Sequence, residues 1–221
     1  MLLRYPYLLY SRKIRHAPMF KLDGEPYPID LSIDNPSLVR VDLTDQRSFQ
    51  RELEKQMGPR FSWGIGGYME RRDSLLSPYP QMVQERRFYH LGVDIAVPVN
   101  CDVHAPLDSI VIETGYEEGR GNYGGYVILK HSGNFFEPFC SFYGHLNPDA
   151  SPAPGQTIAA GEVFARIGDF HHNGCWYYHT HLQILTMEAL AKGYAHKGYC
   201  SEAELPFIDR LCPNPVPLFK R

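Results

Sequence analysis

In His90-Leu91-Gly92-Val93-Asp94-Ile95-Ala96-Val97, apolar and polar side chains alternate from Val93 onward, the period of a half-buried strand. His90 and Asp94 are four residues apart, and even separations on a strand place side chains on one face. An imidazole and a carboxylate are thus expected to point the same way. Further along, His179-Thr180-His181 opens a second run, His181 to Leu185, and its two imidazoles share a face for the same reason. Two imidazoles and a carboxylate make the ligand set of a catalytic zinc that keeps its fourth position for water.

The surroundings are those of a β protein. Ser109 to Tyr116, Gly125 to Lys130, Cys140 to Tyr143 and Val163 to Ile167 read as further short strands, separated by turn signals at Gly119 to Gly125, Ser132-Gly133-Asn134 and Pro152 to Gly155. Fifteen tyrosines and eighteen prolines fit strands and turns better than a helix bundle. The expectation is a mainly β fold, an antiparallel sandwich or partly open barrel. Before it, residues 1–82 form an irregular extension with one convincing helix, Asp45 to Met57. There Phe49, Leu53 and Met57 share a face, and Gly58-Pro59 stops the run. The division is therefore 1–82, an extension that wraps or covers the core, and 83–221, the chemical domain. Short helices are expected at Met187 to Lys192 and after Ser201, where Ser-Glu-Ala-Glu has a capping-box pattern.

Composition narrows the function classes. The chain has 221 residues, a formal charge of -3 and mixed charges throughout, which gives no basic surplus for nucleic acid. No stretch approaches the roughly 20 apolar residues of a membrane span, and Met1 to Leu9 lacks the pattern of a secretory signal. The chain as given reads as cytoplasmic, or as extracytoplasmic if a leader has been removed; its oligomeric state is open. The five cysteines, Cys101, Cys140, Cys175, Cys200 and Cys212, contain no C-x-x-C pair, and reduced, mostly buried thiols are expected.

With ten histidines, each short match alone is weak, and their order is the stronger signal. His90-Leu-Gly-Val-Asp94-Ile, Ala105-Pro-Leu-Asp-Ser-Ile-Val, Tyr123-Gly-Gly-Tyr-Val-Ile-Leu-Lys-His131, Tyr143-Gly-His-Leu146, Gly155 to Gly161 and His179-Thr-His-Leu-Gln183 together resemble the lysostaphin-type (LytM-like) zinc endopeptidases. The resemblance runs from about Tyr89 to Leu185. It implies one zinc per chain held by His90, Asp94 and His181, with His145 and His179 as catalytic histidines. It also implies a peptide substrate, such as a peptidoglycan cross-link or a glycine-containing peptide. The chemistry suits that division: the metal acidifies a water, and near-neutral imidazoles move its proton and steady the oxyanion. Which of His145 and His179 does which stays open.

Gln183, two residues beyond His181, is a candidate outer partner of that histidine, although a surface glutamine is the simpler expectation. His16, His104, His131, His171, His172 and His196 are expected to be structural or solvated, and Cys175 is not expected to bind metal. Bulky Gly174-Cys-Trp-Tyr-Tyr178 precedes the histidine pair, where small residues are common in the family, and could narrow the cleft or stack on substrate. Asn35 of the extension is a conceivable blocking ligand. Leu211-Cys-Pro-Asn-Pro-Val-Pro-Leu218 resembles a branch of the family fused to aminotransferase-like and kinase-like domains. Two rivals remain. An iron oxygenase with two histidines and a carboxylate lacks its usual His-x-Asp spacing here. A catalytically silent module binding peptidoglycan or a protein partner would not need all five site positions filled.

Overall fold

The computed structural model describes residues 2–219; Met1, Lys220 and Arg221, the outermost residues of the two expected segments, lie outside the described residues. Its main body is an eight-stranded sheet. The strands along the chain are β1 (Tyr27–Ile29), β2 (Gly64–Gly66), β3 (Arg87–His90), β4 (Val93–Ala96), β5 (Asp102–His104), β6 (Ser109–Glu117), β7 (Gly124–Gly133), β8 (Phe136–Leu146), β9 (Thr157–Ile158), β10 (Val163–Arg166), β11 (Thr180–Thr186) and β12 (Tyr199–Ser201). In space the sheet runs β1-β2-β4-β11-β8-β7-β6-β9, and β5/β10 and β3/β12 form two-stranded ribbons. Every pair is antiparallel except β1 with β2. The fold is mainly β, as the turn-punctuated runs predict.

Both faces of the central strands are covered, which explains why β7 reads as a nearly unbroken apolar run. Val127 and Leu129 join Val93, Ile95, Leu182 and Ile184 in one buried cluster. Tyr126 and Ile128 join Phe142 and Leu185 in another. Because side chains alternate along a strand, His181 and Gln183 face away from Leu182 and Ile184, and Asp94 faces away from Val93 and Ile95. The first cluster anchors the sheet; the opposite face carries the polar side chains.

The extension is more ordered than its pattern suggests. Helix α1 (Gln46–Met57) starts where expected: Asp45 caps it by accepting from the Arg47 N–H at 3.1 Å, and Gly58 at φ 60° ends it. Two short helices follow, α2 (Asp73–Leu76) and α3 (Pro80–Glu85), and β1 and β2 join the main sheet beside β4. Elements of three to six residues are too short to print a period on the sequence. Phe49, Leu53, Leu75, Leu76 and Met82 of the extension form one buried cluster with Trp176, Tyr177 and Tyr199. After β11, helix α4 (Met187–Ala191) is capped by Thr186, and the Ser201–Glu204 capping box is present. Among the described residues no helix is long and apolar enough to cross a membrane.

His131 is fully buried at the end of β7, with Nε2 2.7 Å from the Ser141 hydroxyl, and burial pushes it down to about 4. Its folded value thus lies below its unfolded value of about 6.5. Above pH 6.5 both states are neutral. As pH falls from there towards 4, the unfolded chain takes up a proton that the folded one refuses, and stability declines. The stability advantage of wild type over His131→Gln should shrink by about 2–3 kcal/mol between pH 7 and pH 4. Urea unfolding at stepped pH measures this, and a constant difference would contradict it.

Candidate metal centre

In the sheet, Asp94 of β4 lies directly opposite His181 of β11 on one side and Gly66 of β2 on the other. His90 does not share a continuous strand with Asp94, contrary to the simple alternation argument. It ends β3, and a bend at Leu91-Gly92 separates it from β4. The convergence survives because Gly92 lacks a side chain. A Cβ there would sit 2.5 Å from Cε1 of His181, so the glycine makes room for that ring.

His90, Asp94 and His181 are buried, and their facing atoms all lie within 4.8 Å of one another. His90 Nε2 is 2.9 Å from His181 Nδ1. Asp94 Oδ1 is 3.2 Å from His90 Nε2 and 3.4 Å from His181 Nδ1. Atoms bound at 2.0–2.1 Å around one tetrahedral zinc stand roughly 3.3 Å apart, so the spacing fits that ion.

The outer hydrogen bonds decide what the inner nitrogens can do. His90 Nδ1 lies 2.8 Å from the Gly67 carbonyl, to which it donates. Gln183 Nε2 donates to the Tyr194 carbonyl, which turns Oε1 towards His181 Nε2 at 3.0 Å as an acceptor. With both outer nitrogens protonated, His90 Nε2 and His181 Nδ1 present only lone pairs to each other. Two lone pairs 2.9 Å apart beside a carboxylate require a shared electrophile, and a divalent cation is the natural one. Gln183 is fully buried, so the surface reading of that residue gives way to the outer-partner reading.

His145 and His179 stand against this trio with ring centroids 4.3 Å apart. His145 Nδ1 is 2.9 Å from the Asn173 carbonyl and His179 Nδ1 is 2.9 Å from the Tyr177 carbonyl. Each ring is thereby held with Nε2 unprotonated, and His179 Nε2 lies 3.7 Å from Asp94 Oδ1. His145 has φ 62°, a left-handed conformation that costs a non-glycine residue about 1–2 kcal/mol. Strain of this kind collects where a side chain has a task. Burial pushes His179 down to about 4 and His90 to about 3, the latter helped by the nearby Arg72 cation. Burial and then the neighbouring His179 hold His145 well below the imidazole range. Burial acts to raise Asp94, but His90 and Arg72 hold it well below the carboxylate range. At neutral pH His90, His145 and His179 are therefore neutral beside an ionised Asp94.

Aromatic residues complete the walls, among them the bulky pair Trp176 and Tyr177 that precedes His179. Tyr123 packs over His181, centroids 5.4 Å apart, and Tyr199 over His90 at 5.2 Å. Trp176 and Tyr177, with Leu31, Leu75 and Met82 of the extension, line the narrow cleft of about 80 Å³ above the trio. Trp176 and Tyr177 have a second task that the sequence does not reveal. Tyr177 packs edge-on against Phe49 of α1 at 5.0 Å, and Trp176 against Tyr79 at 5.1 Å. The bulky stretch before the histidine pair is thus the seam on which the extension docks. Asn35 is elsewhere: its Oδ1 accepts from the Ser37 N–H and hydroxyl, and its Nδ2 donates to the Asp30 carbonyl. It caps a local turn, so the blocking-ligand expectation is not supported. Arg72, by contrast, had no signal at all: Glu70-Arg71-Arg72-Asp73 reads as a solvated charge run, yet Arg72 is 1% exposed.

Residues 88–192 match Peptidase family M23. Among solved structures, the chain is similar to a zinc-containing peptidase from Vibrio cholerae, at 24% identity and a TM-score of 0.37, over 44% of this chain and 27% of that one. It is also similar to the catalytic domain of the antimicrobial peptidase lysostaphin from Staphylococcus simulans, at 20% identity and a TM-score of 0.42, over 61% of this chain and 81% of that one. The chain thus spans about a quarter of the length of the Vibrio peptidase and most of the lysostaphin domain. Nothing in these likenesses points to the branch fused to aminotransferase-like and kinase-like domains. No curated protein matches the chain.

Proposed function

Residues 88–192 make this chain a member of peptidase family M23, and from that premise we propose that it is a zinc metalloendopeptidase. The observation that carries the reading is the buried trio His90, Asp94 and His181, whose inner lone pairs converge while each imidazole's outer nitrogen is committed elsewhere. These three residues would hold one zinc per chain. That ion supplies a water acidified towards a pKa of ~7 and a Lewis acid for the scissile carbonyl.

The chain's own groups do the rest. His179 and His145 enter neutral with Nε2 unprotonated and share two tasks: taking a proton from the attacking water and returning it to the leaving amine. The ring that holds the proton also donates to the oxyanion of the tetrahedral intermediate. The carbonyls of Asn173 and Tyr177 fix both ring orientations and stabilise the protonated state as it forms. The substrate class is a peptide. A cleft walled by Tyr123, Trp176, Tyr177 and Tyr199 leaves little width beside the metal, which favours a small residue at the cut. A glycine-containing peptide or a peptidoglycan cross-link suits it.

Elemental analysis of wild type beside His181→Ala, with hydrolysis of purified peptidoglycan and a glycine-rich peptide, tests the proposal. About one zinc per chain in wild type, absent from the variant, with cleavage of either substrate, is expected. No zinc in wild type after reconstitution would overturn it. Zinc without cleavage of any peptide would favour the catalytically silent module, a reading to which the cleft wall of Leu31, Leu75 and Met82 lends some weight.

A further inference from the structure

The two carboxylate oxygens of Asp94 are divided. Oδ1 faces His90 and His181, at 3.2 and 3.4 Å, while Oδ2 accepts from Nη1 of Arg72 at 2.6 Å. Arg72 belongs to the extension, between β2 and α2, and its side chain is 1% exposed. Its Nε donates to Glu70 Oε2 at 2.6 Å, and Glu70 Oε1 accepts from the Leu31 N–H at 3.1 Å. Nη1 also reaches the Tyr199 hydroxyl at 3.3 Å. The guanidinium thus lies within a hydrogen-bonded chain running from the backbone of Leu31 to the carboxylate at the metal point. Its other side rests over Gly66, where an added Cβ would come within 3.0 Å of Nη2 and 3.4 Å of Asp94 Cβ.

The same segment holds His90. The Gly67 carbonyl accepts from His90 Nδ1 at 2.8 Å. Backbone bonds also pin the segment to β3: Met69 N–H to the His90 carbonyl at 2.7 Å, His90 N–H to the Glu70 carbonyl at 3.0 Å, and Arg72 N–H to the Phe88 carbonyl at 2.9 Å. Two of the three candidate ligands therefore take their outer partners from residues 66–72. Only His181 takes its partner, Gln183, from the matched region itself.

We propose that Gly66 to Arg72 is a built part of the metal centre, and that Arg72 is its positioning residue. The guanidinium occupies Asp94 Oδ2 and so leaves Oδ1 alone to face the metal, enforcing binding through one oxygen. A planar fork fixes the carboxylate's plane as well as its charge, which an ammonium cannot do. The extension then completes the site instead of capping it. This inference rests on the zinc reading above.

The test is zinc affinity of the full chain, by competition with a chromophoric chelator, for wild type, Arg72→Met and Arg72→Lys. Visible spectra of the cobalt-substituted proteins and the melting temperatures of the metal-free forms accompany it. Loss of an outer partner typically weakens metal binding about 10–100-fold. Arg72→Met is expected to fall in that range with an altered cobalt spectrum, and Arg72→Lys to recover part of the affinity but not the wild-type spectrum. A merely structural arginine would lower the melting temperature and leave both metal readouts unchanged. If Arg72→Met does not fold, Arg72→Lys, which keeps the buried charge, carries the test. Wild-type affinity and spectrum in folded Arg72→Lys, or in both variants, would overturn the inference while leaving the zinc reading intact. Failure of wild type itself to bind zinc would overturn both.

Discussion

Replacing His179 with alanine is expected to leave about one zinc per chain in place and to lower kcat for peptide hydrolysis by about 10²–10⁴-fold. His145→Ala should do the same. Neither ring is needed for the trio's geometry: His90 is held by Gly67, His181 by Gln183 and Asp94 by Arg72. Both rings, however, place an unprotonated Nε2 beside the point where a water would be activated, and their outer nitrogens already serve the Asn173 and Tyr177 carbonyls. On the proposed mechanism, removing either one would withdraw a proton carrier and leave the ligand trio intact. Because the rings are 4.3 Å apart and act on one proton inventory, the double variant should be little worse than the more damaged single one. Zinc content with single-turnover hydrolysis measures this. Loss of zinc in either variant would instead make that histidine a ligand, and undiminished kcat would remove it from the chemistry.

How much of this site could be read beforehand depends on how each residue is held. His90, Asp94, His145, His179 and His181 have chemistry that shows in residue type and order. The alternation that paired His90 with Asp94 does not survive the bend at Leu91-Gly92, and the pairing of Asp94 with His181 comes from the sheet register. The β7 and β11 runs were equally visible because burial on one or both faces leaves a pattern on the sequence. Arg72, Glu70 and Tyr199 left none. An arginine beside another arginine and an aspartate reads as surface, and only tertiary structure turns it inward to meet Asp94. Asn35 shows the reverse error. An asparagine before proline carries donor atoms, but its side chain closes its own turn. The aromatic stretch before His179 was visible as bulk; its purpose was not, because the surface it packs on, Phe49 and Tyr79, lies about a hundred residues away in the chain.

That seam sets the second large expectation: a chain lacking residues 1–82 should neither fold nor bind zinc. A removable cover would behave oppositely, leaving a folded and more active remainder. The decision rests on what the extension buries. Leu8, Met19, Leu31, Phe49, Leu75 and Leu76 are each at most 1% exposed. Each contributes about 1.5–3 kcal/mol by burial. Together they amount to about 9–18 kcal/mol, at least comparable with the whole stability of an ordinary domain. Leu8 and Met19 sit in the same cluster as Val93, Ile95 and Leu182 of the sheet, so their loss opens the main core and not a separate one. Removing β2 also bares the edge of β4, the strand that carries Asp94, and unpaired edges invite aggregation. Circular dichroism, hydrogen exchange at β4 and β11, and zinc content of the truncated chain distinguish the two cases. A soluble truncated protein with native sheet signal, one bound zinc and faster hydrolysis would show that the extension is a lid. Collapse of all three readouts would show that the metal site is built from both sides of residue 82.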